Sequence, residues 1–186
     1  DGGGTVLVGG DFQGKGDVPT ASRTFVGPDA SIIADATENG DGGKVIVWAD
    51  DFTNYYGHIS AQGGAQSGDG GFAEVSGKQG LRFQGTANLS SEVGDPGVIL
   101  LDPRNIRIVD GGAVGDLVGT NNDDGNANIY AWNESDNGTG ADGDDDIDAS
   151  VIEGLLDGGS SVILQAHHDI WIEESITTGV VDVGDL

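Results

Sequence analysis

The chain lacks cysteine and methionine altogether. Without cysteine it can form no disulfide, no thiolate metal site and no cysteine nucleophile. Basic residues are scarce: 7 Lys and Arg stand against 32 Asp and Glu, which gives a formal net charge of −25. Nucleic acids and anionic lipid surfaces recruit basic proteins, so this charge argues against both as partners. No apolar run approaches the ~18 residues of a membrane-spanning helix, which argues against membrane insertion.

Glycine, by contrast, is abundant, at 35 of the 186 residues. That share is far above the usual ~7% of proteins. The glycines are not scattered, because they cluster between short apolar runs rich in β-branched residues. Such clusters mark turns, where glycine permits positive φ, so we predict a β-rich fold rather than disorder.

A repeated turn organises the chain. Three times a Gly-Asp-X-Gly tetrapeptide directly precedes an apolar run, and its aspartates are 28 and then 26 residues apart (69 − 41 and 95 − 69). The three tetrapeptides are Gly40–Gly43, Gly68–Gly71 and Gly94–Gly97. Asp-Gly-Gly also precedes the apolar runs at residues 5–8 and 161–164. A fixed period of this length indicates a stacked repeat architecture.

Each period contains three short apolar runs, so the repeat predicts an all-β fold, a three-sided parallel β-helix (β-solenoid) of about five coils, each of 26–28 residues. In such a stack every backbone N–H and C=O pairs with the coil above or below, and equivalent side chains form columns. We predict one column from Val8, Val47, Val75 and Leu101. Tyr55 and Phe83 are predicted to occupy aligned or neighbouring columns, with sugar stacking as the alternative if such rings are exposed.

Two insertions interrupt the period. One is expected at about residues 11–23, and a larger, polar one at about residues 111–148. Because loops can leave a wall without disturbing the stack, the whole chain, residues 1–186, is predicted to be a single solenoid segment. After the second insertion, residues 150–156 are predicted to form a short helix with Ser150 as its N-cap.

Five segments of the chain resemble large bacterial exoproteins of the filamentous-haemagglutinin type, which are exported by two-partner secretion. They are Val6–Gly14, Gly42–Asp50, Gly70–Lys78, Leu100–Ile106 and Val162–Ile170. The resemblance implies a right-handed β-helix, a secreted or bacterial cell-surface location, an outer-membrane transporter as partner during export, and a role in adhesion or surface structure. It implies no catalytic residue, and it makes this segment part of a shaft rather than an export signal.

Aspartates of the second insertion are one candidate Ca²⁺ site. Asp142, Asp144 and Asp146 alternate and would supply the hard oxygen ligands that Ca²⁺ prefers. However, the glycine and the distal glutamate of an EF-hand loop are missing. A solvated acidic loop is the alternative interpretation, and it is the one that we favour.

Aspartates of the repeated turn are the second candidate Ca²⁺ site. Asp41, Asp69 and Asp95 would form one column at a corner of the solenoid. Like charges about one coil apart are tolerated only if the corner is solvated or a cation bridges the carboxylates. The sequence therefore predicts that no cofactor is required and makes this corner the first place to look for Ca²⁺.

Two further groups of residues have a catalytic interpretation that we do not favour. His167 and His168 precede an aspartate, but alternation along a wall strand would send the two histidines to opposite faces. Glu74 would be one half of a carboxylate dyad in a polysaccharide-cleaving groove. Its candidate partners are Asp50, Asp69 and Asp102. Alternation instead directs Glu74 outward, so we predict no catalytic residues.

The sequence thus predicts a structural or adhesive segment of a surface exoprotein, and not an enzyme. The alternative is a carbohydrate-binding or polysaccharide-cleaving β-helix. Neither terminus resembles a polar cap, so we expect end-to-end stacking into filaments or continuation into a longer chain. A surface glycan or a host cell surface is the further partner that an adhesive role implies.

Overall fold

The structure is a computed structural model that describes residues 1–110 and 146–179. Within these residues the regular secondary structure is mostly strand, and every strand pair is parallel. The strands are β1 Thr5–Val8, β2 Arg23–Val26, β3 Ser31–Ile33, β4 Lys44–Ala49, β5 Phe52–Tyr55, β6 His58–Ser60, β7 Phe72–Gly77, β8 Gly80–Phe83, β9 Thr86–Asn88, β10 Val98–Leu101, β11 Ile106–Val109, β12 Asp146–Asp148, β13 Ser161–Leu164 and β14 Ile170–Ile172. The helices are a 3-10 turn at Phe12–Gly14 and α1 at Ala149–Asp157. The fold is therefore all-β with parallel sheets.

In three of the four sheets, neighbouring strands come from successive repeat units. The first sheet has the order β1-β4-β7-β10-β13, the second β2-β5-β8 and the third β3-β6-β9. Neighbouring strands in these sheets are thus one repeat apart along the chain. The fourth sheet has the order β12-β11-β14, and its strand β12 lies beside β8 of the second sheet. We call the first sheet the first wall, the second and fourth sheets together the second wall, and the third sheet the third wall.

The register of the first sheet is the one that the repeat predicts. Val8 pairs with Val47, Val47 with Val75, and Val75 with Leu101. The predicted column is therefore confirmed, and Leu164 extends it. Side chains of this column face the apolar core, in which the strands of all three walls meet.

The repeated turn needs glycine for two separate reasons. Gly40 and Gly68 have positive φ values of 104° and 119°, as predicted for a corner. At Gly42, by contrast, a Cβ would lie 2.1 Å from the Ala61 carbonyl oxygen and 2.5 Å from the Gly71 nitrogen, two atoms that are themselves hydrogen-bonded at 2.7 Å. The position after the aspartate is thus filled by a backbone hydrogen bond of the next unit, and a side chain has no room.

Tyr55 and Phe83 pair across β5 and β8 and stack in the core, with ring centroids 5.4 Å apart and planes only 8° from parallel. Both side chains are fully buried, so the predicted alignment is confirmed and these two rings are not open to sugars. The Tyr55 hydroxyl has no hydrogen-bond partner within the described residues. Burial also raises the pKa of Tyr55 far above its usual 10.0, so the phenol stays neutral.

We expect Tyr55→Phe to raise the free energy of unfolding by about 1 kcal/mol, because it removes a buried hydroxyl without a partner and preserves the stacked ring. Urea denaturation of both proteins measures the difference. Phe83→Leu is the comparison, since it removes the stacking partner and is expected to destabilise the chain by about 1–2 kcal/mol. A Tyr55→Phe variant less stable than the wild type would indicate that the hydroxyl has a partner after all.

The predicted helix after the second insertion is confirmed as α1, but its predicted N-cap is wrong. The cap is Asp148, whose carboxylate accepts a hydrogen bond from the Ser150 N–H at 2.8 Å. Asp148 ends β12 with an extended backbone, so the helix begins directly after the strand and Ser150 is already helical. Ile152 and Leu155 bury the inner face of α1 in the core. No helix within residues 1–110 and 146–179 is long and apolar enough to cross a bilayer.

Candidate functional site

The three aspartates of the repeated turn do lie in one column, and each contacts the next through the backbone. The Asp41 carboxylate accepts the Asp69 N–H at 2.9 Å, and the Asp69 carboxylate accepts the Asp95 N–H at 2.9 Å. All three residues are exposed to solvent. Hydrogen bonds to the charged form therefore offset part of the repulsion between the carboxylates. Ca²⁺ at this corner stays a prediction, and no group of three or more His, Asp or Glu suited to a metal ion occurs within the described ranges.

We expect Asp69→Asn to change the free energy of unfolding by less than ~0.5 kcal/mol, because its amide oxygen still accepts the Asp95 N–H. Asp69→Ala loses that acceptor and is expected to cost about 1 kcal/mol. Thermal unfolding with and without millimolar Ca²⁺ measures both effects. A Ca²⁺-dependent rise in Tm that the asparagine variant loses would show that a cation, rather than the N–H bonds alone, stabilises the column.

Only one aspartate of the acidic insertion site falls within the described residues, since Asp142 and Asp144 lie outside them. Asp146 accepts two hydrogen bonds from the Arg107 guanidinium, at 2.7 Å from Nε and 2.6 Å from Nη2. Such a bidentate pair is strong and engages both carboxylate oxygens. The Ca²⁺ prediction for these three residues stays untested, and Asp146 already has a cationic partner that joins β12 to β11.

His167 and His168 lie in a bend between β13 and β14, so their prediction as wall-strand residues is wrong. Their N–H groups donate to the carbonyls of Pro103 at 3.3 Å and Arg104 at 2.9 Å, which makes this bend a corner stacked on the corner of the preceding unit. Both histidines are exposed. Strand alternation therefore does not separate them, and they contribute to one surface.

Glu74 points away from the core, as predicted, but it is completely buried. It lies between Ile46 and Leu100 on the outer face of the first sheet, where all three side chains are shielded from water. The cover is the β1–β2 connection, residues 9–22, which we call the covering loop. Gln13 of this loop donates its backbone N–H to the Glu74 carboxylate at 3.0 and 3.3 Å.

Asp102 is the second buried carboxylate beneath the covering loop, with only 2% of its surface exposed. Its Oδ2 accepts hydrogen bonds from the Gln13 side chain at 3.4 Å and the Gln165 side chain at 3.2 Å. Its Oδ1 has no partner within the described residues. Gln13 therefore contacts both carboxylates, and Lys15 donates to the Gln13 amide oxygen at 2.8 Å.

Burial raises the pKa of both carboxyls. For Glu74 desolvation is the main cause, and the nearby Asp102 charge adds to it, whereas the Gln13 N–H acts in the opposite direction. For Asp102 desolvation again dominates, opposed by the charge of His167 and the Gln13 amide. A raised carboxyl pKa in a cleft suggests acid catalysis. Here, however, the covering loop lies over both carboxyls, and each of them accepts a hydrogen bond from Gln13 of that loop.

The covering loop fits the outer face because two of its residues have no side chain. A Cβ on Gly10 would lie 2.7 Å from the Trp48 indole, and a Cβ on Gly14 would lie 2.6 Å from it. Phe12 packs edge-on against Phe72, with ring centroids 5.8 Å apart. These contacts place Gln13 above Glu74 with a positive φ of 54°.

Lys44 ties the start of the covering loop to β4. Its ammonium lies 3.5 Å from the Asp11 carboxylate and 5.4 Å from the centre of the Phe12 ring. Sequence reasoning identified the insertion but not Gln13 as the residue that joins it to the sheet. The local pattern does not indicate where the loop returns to the sheet. The closely spaced glycines of the loop, two of which pack on Trp48, were the available signal of close packing.

Compared with protein-family models and with curated proteins, the chain matches none of them. All five segments overlap strands of the first sheet, the wall that carries Glu74 and the covering loop.

Proposed function

We propose that this chain is a right-handed, three-sided β-solenoid that forms a stiff shaft in a secreted bacterial surface protein with a structural or adhesive role. The observation that carries the proposal is the parallel, in-register stacking of equivalent strands in three separate sheets. Because the strand of each unit in these sheets pairs with the strands of the units before and after it, further units would lengthen the stack without changing its cross-section. Each added coil extends such a shaft by ~4.8 Å.

The strand edges support growth along this axis. In the described residues β1 pairs with a strand on one side only, and so do β13 and β14 at the opposite end of the stack. Trp171 and Ile172 of β14 are also exposed, at 46% and 63%. Unpaired edges with apolar side chains suit another coil of a longer chain or a second copy stacked end to end.

Electron microscopy of the purified chain, with fibre diffraction from aligned material, tests the shaft. We expect filaments or elongated particles and a meridional reflection near ~4.8 Å. Antibody labelling of intact source cells tests the surface location, and export through an outer-membrane transporter is the expected route. Compact, non-assembling particles would contradict stacking, and labelling only after lysis would contradict secretion. Turnover of neutral or anionic polysaccharides, assayed with Ca²⁺ present, would favour the enzymatic alternative.

A further inference from the structure

A break in the stacking lies at the corner between the first and second walls. At this corner the units turn through residues 50–51, 78–79, 102–105 and 165–169. The Lys78 N–H donates to Ala49 and the Gln79 N–H to Asp51, at 3.0 and 2.9 Å, so the second and third units are joined there. Within the described residues no backbone hydrogen bond joins residues 78–79 to residues 102–105. The corner is therefore open between the third and fourth units.

The cause of this opening is β12. In the fourth sheet β12 and β14 flank β11 on opposite sides, and β12 also lies beside β8. The second wall therefore contains an additional strand between β8 and β11, while in the first wall β7 and β10 pair directly. Because one strand spacing is ~4.8 Å, an extra strand on one wall separates the two corners by about that much more. The result is a cavity of about 370 Å³ between them.

The lining of this corner cavity is basic, although the chain as a whole is strongly acidic. It consists of Lys78, Gln79, Arg104, His167 and His168. Two of the chain's 7 Lys and Arg and two of its 3 His therefore meet at one place. Lys78 and Arg104 form no ion pair within 4.0 Å of a carboxylate among the described residues.

Two acidic residues lie close enough to the cavity to act on these cations. Lys78 is among the influences that lower the pKa of Asp50, after the Thr20 hydrogen bond, and His167 lowers that of Asp102. The Asp102 carboxylate is buried and already bonded to Gln165, so it does not fill the cavity. Lys78, His167 and His168 are exposed and Arg104 is half-buried, so these side chains are accessible to a ligand from solvent.

We propose that the corner cavity binds a small ligand with a single carboxylate, of the sugar-acid class. The planar arginine fork matches a carboxylate, and Gln79 and the histidines supply partners for hydroxyl groups. The cavity volume is in the range of small-molecule sites. A polyanion is disfavoured, because it would extend past the cavity over the surface of a chain whose net charge is −25, at distances shorter than the ~8 Å screening length at physiological salt. This inference goes beyond the proposed shaft and does not depend on it.

Proton NMR of the histidine rings tests the proposal, because the chain has only three histidines and His58 lies elsewhere, beside Thr86. We titrate the full chain with glucuronate, and with glucose as the uncharged control. The expected result is a saturable shift of the His167 and His168 ring signals with glucuronate, an unchanged His58 signal, and no shift with glucose. Lys78→Gln and Arg104→Gln are each expected to weaken binding about tenfold or more.

Lys44→Gln is the matched control, since it removes the same charge at a distant site beside the covering loop and should leave glucuronate binding unchanged. Further titrations compare the affinity for glucuronate with that for sulfate, an anion without a carboxylate, and with that for polyglutamate, a polyanion. Tighter binding of either would overturn the proposal, as would equal shifts with glucose or full binding by both cavity variants. Circular dichroism of each variant verifies that the strands are retained.

Discussion

Replacing Gly70 by alanine is expected to lower the free energy of unfolding by about 3 kcal/mol or more. A Cβ at this position would lie 1.8 Å from the Leu89 carbonyl oxygen and 2.2 Å from the Gly97 nitrogen. Those two atoms form a hydrogen bond of 2.7 Å that joins the third wall to the next turn. Alanine must therefore break this bond or displace the corner, and neither atom belongs to a flexible side chain.

Gly154→Ala is the control for this prediction. Gly154 lies inside α1, and a Cβ there would meet nothing within 4 Å. Because alanine is the better helix former, this change is expected to stabilise the chain by about 1 kcal/mol. Urea denaturation followed by circular dichroism compares the two variants, which have the same chemical change in opposite settings. A Gly70→Ala protein as stable as the wild type would mean that the turn is not packed as described.

The position that Gly70 occupies in the repeated turn also explains why the fourth unit departs from the repeat. Pro96 occupies it in the fourth unit, where the other units have Gly42 and Gly70. In that unit the next turn does not bond back to a third-wall strand, because the Ser160 N–H donates to Leu155 of α1 at 3.1 Å. A side chain is therefore tolerated where the helix replaces the strand. Glycine thus occupies this turn position where the hydrogen bond to the third wall is present, and proline occupies it where that bond is absent.

The features that the sequence predicted are those that recur at a fixed period. Turn positions, strand registers and the aspartate column follow from repeated local patterns, because each unit has the same neighbours as the one before. The first insertion was also visible, as a lengthening of one period. Its destination was not, since Gln13 and Glu74 are 61 residues apart and the contact depends on the surface that the stacked strands create.

Features that occur once and depend on contacts with other units were predicted wrongly or missed. The bend at His167 and His168 follows from bonding to the preceding corner, and no strand pattern separates it from a wall. The insertion of β12 between β8 and β11 was not predicted, because one strand of three residues after a long polar segment has no periodic signal. The candidate cavity exists only because of that strand, so it was also beyond sequence reasoning.

Glu74→Gln is expected to make the free energy of unfolding less dependent on pH in the range that begins at the usual glutamate pKa of 4.5 and ends above the raised pKa of the folded state. Burial raises the folded-state pKa of Glu74, so between 4.5 and that raised pKa the folded state holds a proton that the unfolded state has released. In the wild type this group therefore contributes stability that is complete below 4.5 and is lost as the pH rises through the folded pKa. Replacing it removes a slope of up to about 1.4 kcal/mol per pH unit.

At neutral pH the glutamine variant is expected to be at least as stable as the wild type, because its amide oxygen still accepts the Gln13 N–H without burying a charge. Glu74→Ala loses that acceptor and is expected to cost about 1–3 kcal/mol at every pH. Free energies of unfolding from urea titrations at several pH values measure both. Glu92→Gln, at an exposed carboxylate, is the matched control and should keep the wild-type slope.

Asp102→Asn extends the test. Burial also raises the pKa of Asp102, so its contribution to stability is likewise lost as the pH rises, and the variant is expected to have a reduced slope too. The two carboxyls affect each other, so removing both should flatten the pH dependence by less than the sum of the single changes. If the slope of Glu74→Gln equals that of the wild type, Glu74 titrates normally and the covering loop does not shield it from water. A reduced slope would instead make the loop a cover whose attachment strengthens in mildly acidic surroundings.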